Sequence, residues 1–106
     1  MREIPGQSLW IGHAGDLRNL QAVMSAGIAA IVNLAVEEAH VTVPRDLLYC
    51  RVPVVDGPGN SNWLLRAAID TTASLLRSRT PTLLCCGAGM SRSPAIAAGA
   101  MSIVTG

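Results

Sequence analysis

Apolar positions fall along this chain in two kinds of run. Short blocks of aliphatic and β-branched residues alternate with longer blocks whose apolar positions return every three to four residues. Residues 8–11 form the first short block, and Gly12-His13-Ala14-Gly15 reads as the turn that follows it. Asp16 then suits a helix N-cap, with Leu17, Leu20, Val23 and Met24 on one face and Gly27 at a helix-terminating position. Residues 28–34 are apolar without alternation, as a strand covered on both faces would be. Residues 35–46 are mixed and polar, with Glu37, Glu38 and His40, and read as a loop or a short irregular helix. Residues 47–55 read as a strand whose pairing ends near Pro53, and residues 56–60 as a Gly/Pro loop. The longest helical stripe runs over residues 61–78 through Leu64, Leu65, Ala68, Ile69, Thr72, Leu75 and Leu76. A last strand spans residues 80–85, and an apolar helical stretch begins at Arg92.

Strand and helix in alternation predict an α/β fold: a central, mainly parallel sheet of about four to five strands with helices on both faces. In such sheets ligands bind beyond the carboxyl ends of the strands.

Composition narrows the picture only where it excludes. The chain has 106 residues, enough for one domain with a modest core and not for two. Half the residues are hydrophobic but Phe is absent, so the core has to be aliphatic. Net charge is +1, and the eight arginines are scattered, which gives no basic face for nucleic acid and no polybasic membrane patch. The N-terminus has no apolar signal core, and residues 94–104 fall short of a membrane span. Three cysteines, two of them adjacent, do not form a disulfide framework, and a reducing, cytoplasmic compartment is expected. His13 and His40 have no metal-ligand spacing, so no metal and no other cofactor is expected.

The chemistry concentrates in Cys86-Gly87-Ala88-Gly89-Met90-Ser91-Arg92-Ser93-Pro94. A strand ends at a cysteine, glycines permit a curled loop, and a helix starts at the arginine. Such a loop can turn its N–H groups inward around one tetrahedral anion, with the helix N-terminus adding positive character. Arg92 can grip two phosphate oxygens with its planar fork. The same field favours thiolate charge on a neighbouring cysteine. Together these elements form a cysteine nucleophile aimed at a bound phosphate. Asp56 lies thirty residues before Cys86 on a Gly/Pro loop. Each residue also has a plainer reading. Cys86 alone would be a small buried hydrophobe, Asp56 a turn aspartate and Ser93 a helix cap.

The octapeptide from Cys86 to Ser93 resembles the signature loop of cysteine-dependent phosphatases of the dual-specificity class. In that signature five residues separate cysteine from arginine, as they do here. The resemblance extends to residues 8–20, 31–34, 49–53 and 56–58, and so covers essentially the whole chain. It implies a phosphotyrosine-phosphatase-like fold in which Cys86 attacks phosphorus and Arg92 holds the phosphoryl oxygens. Asp56 would serve as acid and then base, and Ser93 would hydrogen-bond the sulfur as it departs. Gly87, Ala88, Gly89, Met90 and Ser91 would bind phosphate through their amides, and Asn33 would brace the loop. The implied substrates are phosphotyrosine and also phosphoserine or phosphothreonine. A phosphate-binding pseudoenzyme is the alternative, and sulfur or arsenate chemistry a third reading.

Two departures from the family pattern stand out. Cys85 occupies the position where the family usually carries a histidine, which should weaken the bracing of the loop; a lesser consequence would be redox control through Cys85 or Cys50. The chain also stops after one further apolar helix, where family domains usually add one or two more. Either the domain is C-terminally truncated or a second copy of the chain covers that helix, so a homodimer or an aggregation-prone monomer is expected. Trp63 is expected to be half-buried at a helix start.

Overall fold

The computed structural model describes residues 1–34, 42–54, 59–87 and 92–105. Glu37, Glu38, His40, Asp56, Ala88, Gly89, Met90 and Ser91 lie outside the described residues. In chain order the elements are β1 (Arg2–Ile4), β2 (Leu9–His13), a 3-10 turn (Ala14–Arg18) and α1 (Leu20–Ser25). They continue with β3 (Ala30–Asn33), β4 (Leu48–Arg51), α2 (Asn62–Arg77), β5 (Thr82–Cys86) and α3 (Arg92–Thr105).

The five strands form one sheet in the order β1-β2-β5-β3-β4. β2, β5, β3 and β4 run parallel, and β1 pairs antiparallel at one edge. The expected mainly parallel sheet with helices on both faces is therefore the observed one. β5 and β3 are buried throughout, which is why their sequences lack alternation.

Side chains of successive strand residues leave on opposite faces, so the sheet carries two cores. Leu9, Ile11, Val32, Leu34, Leu84 and Cys86 pack on one face under α2 and α3. Trp10, Ile31, Leu83, Cys85 and Tyr49 pack on the other, against Leu17 and Val23. Ile69 of α2 meets α3 at Gly99, where an added Cβ would stand 3.0 Å from Ile69 Cδ1. Gly99→Val is expected to overpack this contact and cost about 1–3 kcal/mol, read as a lowered urea midpoint at unchanged slope.

Several local expectations change. Residues 16–24 are not one helix. Asp16 receives the His13 amide in a capping box around the 3-10 turn, and Asn19 caps α1 by accepting from the Ala22 amide. Met24 is therefore exposed rather than on the buried face. β2 continues through His13, where the sequence suggested a turn, because β5 offers it a parallel partner up to Cys86. Gly27 follows α1 with φ of 87°, the left-handed ending its position predicted. Trp63 is 71% exposed, not half-buried. α3 leaves Pro94, Ala95, Ala98, Ser102 and Thr105 facing outward while Ile96, Ala97 and Ala100 are buried, so one face of this apolar helix is open. No helix among the described residues is long and apolar enough to cross a membrane.

Candidate active site

The parallel strands all point their carboxyl ends to one edge of the sheet, which brings His13, Asn33, Arg51 and Cys86 to that edge. Cys86 closes β5, the middle strand, and is fully buried on the α2/α3 face. Gly87 follows it and is buried as well. Arg92 opens α3 and is only 6% exposed.

Main-chain carbonyls hold Arg92 there. Its Nη1 donates to the Leu34 carbonyl at 3.3 Å and to the Val54 carbonyl at 2.9 Å. The amide of Leu34 in turn donates to the Cys85 carbonyl at 2.8 Å. The guanidinium is thereby fixed to the residue that follows β3, immediately beside the end of the cysteine strand. Val54 lies two residues before Asp56, so the same nitrogen also ties down the segment that leads toward the candidate acid. A buried cation beside a helix N-terminus opposes the helix dipole. Two carbonyl acceptors offset part of that cost and leave a rigid positive fork at the sheet edge.

Ser93 is fully buried, and its hydroxyl has no hydrogen-bond partner among the described residues.

Cys85 and Cys86 point to opposite faces of the sheet. The Cys85 thiol lies 3.8 Å from the Val32 carbonyl and 3.8 Å from Asn33 Oδ1, while Asn33 Nδ2 donates to the Tyr49 hydroxyl at 2.9 Å. Tyr49, Asn33 and Cys85 thus form a polar triad on the face of the sheet opposite Cys86. Periodicity could not reveal it, because the three residues come from three strands. Burial pushes the Cys85 thiol up from 9.0 to about 12, and negative charge at Cys86 and Asp16 adds to the effect. Cys85 is accordingly a neutral structural thiol.

This geometry argues against the expected redox pairing. Opposite-facing neighbours on a strand cannot bridge without distorting β5. Cys50 stands in register with Val32 and so lies two strands from β5, a separation of about 9.6 Å. That exceeds the ~7 Å limit between Cα atoms for a disulfide.

The raised Cys85 value fixes the sign of an alkaline effect. The folded state retains this proton while the unfolded chain releases it above pH 9.0, so stability is full below 9.0 and falls as pH climbs toward about 12. The slope is about 1.4 kcal/mol per pH unit. Cys85→Ala should flatten this limb in urea titrations at pH 8 to about 11, whereas an unchanged slope would assign it to another group.

The fold and the sheet edge can now be compared with known proteins. The mouse dual specificity protein phosphatase 18 is 34% identical over 91 residues, which cover 85% of this chain and 48% of the mouse protein. Over most of its length the chain resembles dual-specificity phosphatases. It spans about half the length of the curated relatives it matches. Among solved structures of the family, human DUSP28 superposes with a TM-score of 0.76 at 23% identity, over 92% of this chain and 68% of DUSP28. A mouse putative dual specificity phosphatase, solved in complex with zinc tungstate, gives 0.75 at 26% identity, over 90% and 60%. No protein-family model matches the chain. The compact sheet and helix arrangement is thus that of dual-specificity phosphatases.

Proposed function

We propose that this protein is a cysteine-dependent phosphatase acting on phosphotyrosine, with phosphoserine and phosphothreonine as further substrates. Cys86 attacks phosphorus, the S–P bond forms as the P–O bond breaks, and Asp56 gives its proton to the leaving oxygen. Amides from Gly87 to Ser91 and the Arg92 guanidinium hold the equatorial oxygens as charge spreads over them. Water, activated by Asp56, then attacks phosphorus and releases phosphate. The sulfur leaves as thiolate, and a rotated Ser93 hydroxyl donates to it. The single observation behind this reading is the Arg92 guanidinium fixed beside the strand that ends in Cys86. Kinship with dual-specificity phosphatases supports it.

Three free cysteines are compatible with a reducing, cytoplasmic setting. The expected partner is a phosphorylated protein. A homodimer across the outer face of α3 would bury only small side chains and should be weak.

The deciding test is phosphate release from p-nitrophenyl phosphate and from a phosphotyrosine peptide, with tungstate as inhibitor. Tungstate-sensitive turnover supports the enzyme. Peptide binding without phosphate release would make the protein a phosphate-binding pseudoenzyme instead.

A further inference from the structure

Beside the cysteine strand, the same sheet edge carries a depression lined by Met1, Arg2, Ile11, Gly12 and His13. Register locates it relative to the nucleophile. His13 of β2 stands opposite Cys86 of β5, so their Cα atoms lie about 4.8 Å apart. Ile11 and Cys86 belong to the same core, so His13, two residues after Ile11, leaves the sheet on the Cys86 face. Arg2 pairs with Ile11 across β1 and β2 and shares that face.

The chemistry of the depression is cationic and donor-rich. Arg2 is exposed and forms no ion pair with a carboxylate among the described residues. His13 is held in one tautomer: its Nδ1 accepts the Gly15 amide at 3.0 Å, so the neutral ring carries its proton on Nε2. Glycine at position 15 permits this, because a Cβ there would come within 2.6 Å of His13 Cε1. The carboxylate of Asp16, beside the depression, is engaged by the His13 amide at 3.0 Å and the N-terminal ammonium at 3.4 Å. Its charge is therefore already compensated.

We propose that Arg2 and His13 form a subsite for an acidic side chain of the substrate, so that the protein prefers phosphopeptides carrying Asp or Glu two positions from the phosphorylated residue. This rests on the phosphatase reading. In an extended peptide, side chains two residues apart point the same way and are about 6.6–7 Å apart. With its phosphate over Cys86, such a peptide brings the second side chain across β2 toward β1, within reach of the Arg2 guanidinium.

The test compares two phosphotyrosine peptides that differ only in Asp or Ala two positions from the phosphotyrosine. The intact protein should favour the acidic peptide about three- to fivefold in kcat/KM, and less at about 0.5 M salt, where screening is strong. Arg2→Ala should bring the ratio close to one. A ratio of one in the intact protein, or a preference that survives Arg2→Ala, overturns the subsite. If neither peptide is turned over, fluorescence anisotropy with the same two labelled peptides gives the ratio as affinities. Selective binding without phosphate release would then retain the subsite and discard the phosphatase. Equal or absent binding would discard both.

Discussion

Cys86→Ser should lower phosphate release by about 10⁴-fold or more while leaving affinity for phosphate or tungstate within a few-fold. A hydroxyl is far less ionised than a thiol and is a much weaker nucleophile at neutral pH, and no other described cysteine can replace it. Cys85 faces the opposite side of the sheet with its thiol pushed up to about 12, and Cys50 lies two strands away. Binding should survive because, in the proposed mechanism, amides and Arg92 hold the anion, and the substitution touches neither. A buried hydroxyl in place of sulfur costs about 1–3 kcal/mol if it lacks a partner, so the variant's urea midpoint has to be measured beside its activity. Residual turnover above about one per cent of the wild-type rate would transfer the chemistry to another group.

The second large effect is expected at Arg92. Arg92→Ala removes the donor that serves the Leu34 and Val54 carbonyls together. Buried carbonyls stripped of a partner cost about 1–3 kcal/mol each, a large share of the roughly 5–15 kcal/mol that stabilises a domain. Arg92→Lys separates the two roles. Its ammonium can approach one carbonyl and keeps the positive charge, but it has no planar fork with which to hold two phosphoryl oxygens. The lysine variant should therefore stay folded, with stability reduced by about 1–2 kcal/mol, and lose about 10²–10³-fold in kcat. Lysine turnover within tenfold of wild type would show that charge alone suffices and that bidentate geometry is not needed.

Much of the fold was legible because its signals are local. The stripe over residues 61–78 matches α2, Asn62–Arg77, almost end to end. The apolar block at 28–34 contains β3, and the block at 80–85 holds all of β5 except its last residue, Cys86. The cysteine-to-arginine spacing singled out Cys86 and Arg92, and both lie at the carboxyl edge of the sheet. The errors are informative too. Asp16 looked like the cap of one long helix because only its own neighbourhood was read. In the fold it caps a 3-10 turn through the His13 amide, and Asn19 starts the next helix. β1 was missed because a three-residue strand has no periodicity of its own and exists through pairing with β2.

The sequence by itself determined the alternation of strand and helix, the glycine ending after α1 and the strand and helix that carry Cys86 and Arg92. Each depends on residues within a few positions of one another. Only the tertiary structure decided which strands are neighbours, and with them that Cys85 and Cys86 serve opposite faces. It also decided that Arg92 hangs from carbonyls 58 and 38 residues away and that His13 stands opposite Cys86. These partners are remote in sequence. Their pairing is set by how one sheet closes over two cores, and no local pattern encodes that.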